Sequence, residues 1–392
     1  MMTRDELRNL AAFYADEKTG ATAVSFYFQP DIPQDRSHRR EAIVAKDVVK
    51  QALKDAVAMR KNGALHADLN RIQELTESLR GQPRGRAVFA CSSQKMWKEY
   101  DLPARLDGTK IYIQQRFQLK PLAMLLGAHP SLCVAVTDRQ RARIFDLRLD
   151  ELHEEGAIVH MLSRSASSYG YNGYDAGHAE RRISEEALQH FKAVAERLRW
   201  DLEKGIWEKL IVGCHDTNWP EFEAQLHPYV RQRVIGRFSA DVATVGNEEI
   251  RQRSDAILKN WIAESGRTKV GEAISFAKAN GRGVTGLRRV LRALETGEVQ
   301  ALFLADNYSA RAVECMHCGH LDAHLVRACV VCGHETREVA DVCDAIIPLA
   351  IRRNIETYYL KGHTELDQAG NIAALLRFRA DQSRSGEIAA AS

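Results

Sequence analysis

Long hydrophobic runs are missing from this 392-residue chain: the most apolar stretch, "PLAMLLGAHPSLCVAV", is broken by His129 and Pro130 and falls short of the roughly 20 apolar residues that a membrane-spanning helix needs. The N-terminus, "MMTRDELRNLAAF", reads as an amphipathic helix start and lacks the apolar core of a secretory signal. A cytoplasmic chain with no membrane segment is expected. In that compartment the eight cysteines are reduced thiols or metal ligands rather than a disulfide framework. An excess of one charge is also missing, because 55 basic residues face 52 acidic ones and leave a formal charge of +3. A polycation is excluded, and any nucleic-acid contact has to come from local patches. No repeat recurs at a fixed period. No serine-histidine-acid or paired-carboxylate constellation stands out either. "VGCHDTNWP" gathers Cys214, His215 and Asp216 after a buried strand, but with no partner at defined spacing it reads as a polar loop.

At 44.1 kDa the chain exceeds what one core usually supports, and three blocks divide it. Residues 1–126 open with the strand-like "ATAVSFYFQP". A helix from about Arg39 to Met59 follows, with Ile43, Val44, Val48, Leu53 and Val57 near helical spacing, and a second from Ala67 to Leu79 with Leu69, Ile72, Leu75 and Leu79 on one face. Asn62-Gly63 is a turn signal between them, and "RAVFACS" and "KIYIQQRF" complete a small α/β unit. Residues 127–246 offer strands at "CVAVTD" and "RARIFDLRL" and a third apolar run ending at Leu162. Next comes the polar stretch "SRSASSYGYNGYDAGHAERR", Ser163 to Arg182, read as a loop, and then a helix striped by Ile183, Ala187, Phe191, Val194 and Leu198. Residues 247–392 begin with one helix over Asn247–Ala263 and a second carrying "VGEAISFAKAN". "LRRVLRALETGEV" and the strand "QALFLAD" follow, then a cysteine-rich interruption at 311–340, the helix "CDAIIPLAIRR", and the strands "IETYYL" and "IAALLRFRA". The alternation predicts an α/β fold whose last domain carries an insertion.

The sharpest motif lies in that insertion. In "CMHCGHLDAHLVRACVVCGH", Cys315 and Cys318 are two residues apart, as are Cys329 and Cys332, and each pair is followed by glycine and histidine. This spacing forms knuckles that aim paired sulfurs at one ion, and four thiolates complete a closed tetrahedral zinc site with no position open for substrate. The competing readings are a redox dithiol, unrelated thiol pairs, or substitution of one cysteine by His317, His320, His324 or His334. "GRGVTG", Gly281 to Gly286, matches the dinucleotide fingerprint, but a helix rather than a strand precedes it. Loop glycines that end one helix and admit the next are the better reading.

Taken together, the blocks resemble the archaeo-eukaryotic peptide release factor and Pelota family, in its divergent bacterial branch. "GLRRVLRALETGEVQALFLAD" looks like the helix, turn and strand of that family's C-terminal domain, and "AGNIAALLRFRA" looks like its closing turn and strand. "CMHCGH" and "CVVCGH" stand where the family has a mini-domain. The resemblance implies a three-domain α/β architecture whose C-terminal α/β/α sandwich carries an inserted zinc mini-domain. It also implies a monomer that binds the ribosome through the rRNA of the A site, with elongation factor Tu or another translational GTPase as delivery partner. The family's middle domain presents a Gly-Gly-Gln loop for ester hydrolysis. Here "YGYNGYDAGHAERR" stands in the matching place without that tripeptide. Tyr171, Gly173, Tyr174, Asp175, Gly177, His178, Arg181 and Arg182 are therefore the candidate RNA-contacting residues near the peptidyl-transferase centre, since guanidinium groups pair with phosphates and aromatic rings stack on exposed bases. "RKNGALHADLNR" replaces the stop-codon-reading loop; its Lys61, His66 and Arg71 are candidates for phosphate contact or simply the solvated face of a helix. The implied role is non-catalytic occupation of the A site in hibernation or stasis. The alternative is a peptidyl-tRNA hydrolase, acting in release or rescue, in which Asp175 or His178 places the water.

Overall fold

The computed structural model describes residues 4–16, 20–30, 39–58, 63–78, 84–102, 108–126, 130–148, 151–159, 174–362 and 364–379. The chain forms two compact units, Met1–Ala128 together with Ser265–Ser392, and His129–Glu264. No helix among the described residues is long and apolar enough to cross a membrane.

The first segment comprises α1 (Arg4–Ala12), β1 (Ala23–Phe28), α2 (Arg39–Ala58), α3 (Gly63–Ser78), β2 (Gly85–Cys91), β3 (Met96–Leu102), β4 (Lys110–Gln114) and α4 (Lys120–Leu126). Its antiparallel sheet has the order β3-β2-β1-β4. β1 is apolar at nearly every position, and a strand of that kind needs a layer on each face. Val24, Phe26 and Phe28 pack with Val49, Leu65, Leu69 and Ile72 of α2 and α3. Ala23 and Tyr27 join Phe89, Phe117 and the C-terminal segment in a second core.

The second unit contains β5 (Leu132–Thr137), β6 (Arg141–Arg148), β7 (Glu151–Val159), α5 (Tyr174–Glu203), β8 (Lys209–Gly213), α6 (Trp219–Gln225), α7 (Pro228–Arg231), β9 (Val234–Phe238) and the start of α8 (Asn247–Lys278). The sheet order is β7-β6-β5-β8-β9, with β5, β8 and β9 parallel and β5-β6-β7 an antiparallel meander. Phe191, Val194 and Leu198 of α5 cover one face with Ala135, Ile144 and Leu210. Ile250 and Leu258 of α8 cover the other with Val134, Val136 and Ile211.

Two helices differ from the sequence reading. The polar stretch does not stay a loop through Arg182, because α5 begins at Tyr174. From there on, Ala176, Ala179, Glu180, Arg181 and Arg182 are good helix formers, and Gly177 alone opposes them. The two helices expected after Asn247 are one continuous helix, α8. Gly266 does not break it, because that glycine is where Tyr358 and Leu360 approach: a Cβ there meets Leu360 Cδ2 at 3.0 Å. Ion pairs between Glu249 and Arg253 and between Asp255 and Lys259 support its exposed face.

The C-terminal segment continues with β10 (Gly283–Thr285), α9 (Leu287–Glu295), β11 (Val299–Ala305), β12 (Ala312–Cys315), β13 (Leu321–Asp322), β14 (Thr336–Val339), α10 (Cys343–Arg352), β15 (Glu356–Leu360), α11 (Thr364–Gln368) and β16 (Ile372–Leu376). Its main sheet runs β10-β16-β11-β15, with β11 and β15 parallel, and the crossover between these two carries the separate sheet β13-β12-β14. "GRGVTG" forms β10 rather than a bare loop. Gly283 is sterically required there, since a Cβ would lie 2.0 Å from the Ala273 carbonyl oxygen of α8, and Gly286 caps α9 at φ +80°. Both glycines serve packing and chain reversal, so the match to a phosphate-binding fingerprint is coincidental.

Candidate metal centre and basic surfaces

The first knuckle leaves β12 at Cys315 and returns through β13, and the second is closed by the Ala328–Glu335 bridge. They are built alike. Cys315 N–H donates to the His320 carbonyl at 2.9 Å and Gly319 N–H to the Cys315 carbonyl at 3.1 Å. In the second knuckle Cys329 N–H donates to the His334 carbonyl at 2.8 Å and Gly333 N–H to the Cys329 carbonyl at 2.9 Å. Gly319 and Gly333 take φ +72° and +74°, the left-handed region that glycine enters without penalty. The backbone then turns N–H groups toward sulfur: His317 and Cys318 donate to Cys315 Sγ, and Val331 to Cys329 Sγ, each at 3.4 Å.

The four sulfurs converge. Cys315 Sγ lies 3.4 Å from Cys332 Sγ, Cys318 Sγ lies 3.6 Å from Cys329 Sγ, and Cys332 Sγ lies 3.4 Å from Cys318 Sγ. Zinc–sulfur bonds of about 2.3 Å set sulfurs about 3.8 Å apart around a tetrahedron, so the donor set and its spacing fit a four-thiolate metal site. The Cys318 and His317 N–H groups pull the Cys315 thiol down to about 6, whereas burial and the neighbouring sulfurs push Cys318 up to about 12 and raise Cys332, so Cys315 is the sulfur poised as thiolate and an ion entering the site releases protons from Cys318 and Cys332. Of the histidines, His317 and His334 stack with centroids 4.0 Å apart and group with Cys332 as a second potential ligand set. His320 is turned away to the Glu295 carboxylate of α9, and His324 to Asp322.

The other candidate residues fall on separate elements. Lys61, Tyr171 and Gly173 lie outside the described residues. Tyr174, Asp175, Gly177 and His178 fall in the first two turns of α5. Arg181 and Arg182 follow them, exposed, with Arg182 Nε 3.2 Å from Glu186 Oε1. His66 and Arg71 are on α3; His66 is half-buried, and the Arg71 guanidinium sits 3.8 Å from the centre of the Trp97 ring. These two belong to the first unit, and the α5 residues belong to the second.

In "VGCHDTNWP", Val212 and Gly213 end β8, Trp219 and Pro220 begin α6, and residues 214–218 make the turn between them. His215 Nδ1 and Thr217 Oγ1 are 2.9 Å apart, Asp216 pairs with Arg237 at 2.8 Å, and burial pushes the Cys214 thiol up to about 12. Burial raises Cys133 as well and takes Cys343 to about 12. These three thiols stay unmodified by an aromatic disulfide reagent at about pH 8, below their raised values, until the chain unfolds and all eight react. The ordinary thiol value is 9.0. Above it the unfolded chain gives up protons that the folded chain keeps, so stability falls as pH rises from 9.0 toward about 12. A pH series of urea midpoints checks that sign.

Sequence reasoning missed an ionic junction inside the first unit. The buried Glu314 of β12 accepts from both Arg116 and Arg337, and the Tyr14 ring lies 5.2 Å from the first guanidinium and 4.9 Å from the second. Beside it, the Gln114 and Gln118 side-chain amides donate to the Asp344 carboxylate, and burial holds that acid above its ordinary value.

Comparison with known proteins agrees with the resemblance noted from the motifs. The chain is 24% identical over 331 residues to peptide chain release factor subunit 1 of Pyrococcus abyssi, covering 75% of this chain and 79% of that protein. It is 25% identical over 294 residues to the Thermococcus sibiricus protein of the same name, covering 68% and 70%. Among solved structures, a model of ribosome-bound archaeal Pelota aligns over 96% of this chain and 94% of its own at 15% identity and a TM-score of 0.41. The crystal structure of an archaeal translation termination factor aligns over 96% and 99% at 16% identity and a TM-score of 0.25. Residues 118–257, most of them in the second unit, match the family model described as "Bacterial archaeo-eukaryotic release factor family 10", and over 75% of its length the chain is distantly similar to an archaeal release factor.

Proposed function

We propose that this chain is a ribosome-binding translation factor that occupies the A site, in hibernation or stasis, without hydrolysing peptidyl-tRNA. The observation that carries the reading is a sequence similarity to peptide chain release factor subunit 1 running over 75% of the chain, in a chain that holds no Gly-Gly-Gln anywhere. A body of release-factor type without the hydrolytic tripeptide can fill the site but lacks the group that positions water. In this role it resembles the ribosome hibernation factor Balon. Residues 1–126 serve the decoding side through Lys61, His66 and Arg71. Residues 127–246 serve the peptidyl-transferase side through Tyr171, Gly173, Tyr174, Asp175, Gly177, His178, Arg181 and Arg182, and residues 247–392 form the C-terminal domain. The factor acts as a cytoplasmic monomer, delivered by elongation factor Tu or another translational GTPase. Zinc is the ion of the four-cysteine centre, and with all four positions taken by thiolate it organises the insertion and performs no reaction.

Two measurements decide the matter. The chain co-sediments with ribosomes from starved cells, and its absence from that fraction in both growing and starved cells refutes ribosomal binding altogether. Ribosomes carrying peptidyl-tRNA release no peptide on its addition; fast release that disappears in His178→Ala replaces this reading with the hydrolase.

A further inference from the structure

A cleft of about 490 Å³ opens in the second unit between the end of α5 and the α7 turn, within the size range of small-ligand sites. It holds none of the residues assigned above. Arg199, Lys209 and Arg233 bring three cations to it, against the single carboxylate of Glu203. That carboxylate is matched within the wall, because Arg199 Nε donates to it at 2.8 Å. Lys209 Nζ sits 5.0 Å above the Trp261 ring, while Arg233 is exposed and makes no ion pair among the described residues. The lining therefore carries a surplus of positive charge, with a guanidinium whose donors are free for an anion.

The aromatic side of the cleft is equally specific. Tyr229 is 70% exposed, the most exposed of the large apolar side chains among the described residues. Its backbone sits in a short capped turn. Pro228 starts α7, the His227 ring caps it by accepting from Tyr229 N–H at 3.3 Å, and the two rings lie 5.1 Å apart. An exposed ring beside a free guanidinium offers a stacking face and a phosphate partner together. Near the end of α5 the pattern recurs: Trp200 is half exposed, with Arg197 and Lys204 placed 5.9 and 5.7 Å from its ring.

We propose that this cleft seats one unpaired RNA nucleotide, its base stacked on Tyr229 and its phosphate held by Arg233 and Lys209. An acidic peptide satisfies the cations but leaves the exposed rings without a role, and a duplex backbone leaves them unstacked. The nucleotide chemistry stands on this cleft alone; only the identity of the RNA as ribosomal rests on the function proposed above.

The test is fluorescence anisotropy of a short labelled single-stranded RNA titrated with the full-length chain, without ribosomes. Arg233→Glu weakens binding at least about tenfold and Tyr229→Ala about tenfold, as one stacking contact and one reversed phosphate contact require. With one phosphate neutralised, affinity falls about twofold when salt is raised from about 50 to about 150 mM. Arg267→Glu, an equal charge change on the exposed face of α8, leaves binding intact. Binding in Arg233→Glu and Tyr229→Ala that equals the parent chain overturns the proposal. So does an equal loss in Arg267→Glu, or tighter capture of polyglutamate by the same residues. Adenosine monophosphate in place of the oligonucleotide separates the two sources of the nucleotide: weak displacement supports an RNA chain, and displacement at equal concentration overturns it in favour of a free nucleotide. Every altered side chain is exposed, so an unchanged thermal transition confirms that folding is not the cause. Retained oligonucleotide binding without ribosome co-sedimentation sinks the functional reading and leaves this one standing; the reverse result does the opposite.

Discussion

Replacing Cys329 with serine strips the chain of its metal and melts the insertion between β11 and α10 while the second unit stays folded. The β13-β12-β14 sheet is made of strands of two to four residues, and its buried apolar side chains amount to little beyond Ala312, Val313, Leu321, Cys315 and Cys329. Segments this small do not bury enough surface to hold a fold without a staple. The four-cysteine centre is placed to supply one, and structural zinc in small domains contributes on the order of 10 kcal/mol or more of apparent binding free energy that is also folding free energy. Cys329 is buried, and its sulfur both faces Cys318 Sγ and accepts from Val331 N–H. A serine hydroxyl binds zinc far more weakly and is too short to close the same tetrahedron. Elemental analysis gives one zinc per chain for the parent and almost none for Cys329→Ser. Hydrogen exchange shows protection lost at 312–339 and kept along α5 and β8. A parent chain purified under reducing conditions with no metal removes the prediction, and with it the four-cysteine assignment.

What could be read in the sequence was what short-range chemistry determines. The knuckles were legible because each one is a turn of a few residues whose thiol spacing and glycine carry their own geometry. β1 and β8 were legible because nearly unbroken apolar runs rich in β-branched and aromatic residues have few alternatives. The end of the polar stretch was not, since glycine and tyrosine masked the helix formers from Ala176 onward, and tertiary packing of α5 over its sheet decides where a marginal first turn begins. The continuity of α8 was hidden by Gly266, a residue whose reason is a close approach by Tyr358 and Leu360, far along the chain. The cleft and the Glu314 junction were invisible for the same cause: a lone glutamate in "AVEC" or a tyrosine after a proline acquires meaning only from what the fold sets against it.

Replacing Glu314 with alanine lowers the stability of the first unit by about 3–5 kcal/mol, the cost of leaving a buried ion pair with one side missing. The side chain of Glu314 is 6% exposed, whereas those of Arg116 and Arg337 are each 24% exposed. Arg337 is the direct cross-strand partner of Glu314 in the β12–β14 register, at 2.6 Å, and Arg116 arrives from the segment after β4. One carboxylate therefore separates two guanidiniums, with Tyr14 beside both. Burial already disfavours the charged form of Arg337, so removing Glu314 takes from two partly desolvated cations the carboxylate they share. Glu314→Gln keeps the shape and one hydrogen bond but loses the charge, and falls between the parent and Glu314→Ala. Arg116→Ala costs less than Glu314→Ala, because the carboxylate keeps Arg337, and the double variant Arg116→Ala/Glu314→Ala costs less than the sum of the two. The exposed pair Arg182–Glu186 provides the contrast, with Arg182→Ala shifting stability by no more than about 0.5 kcal/mol. Urea unfolding followed separately in the two units reads all of this. The midpoint of the first unit moves and that of the second stays, and a shift below about 1 kcal/mol in Glu314→Ala would show that the junction is solvated and contributes no more than a surface pair.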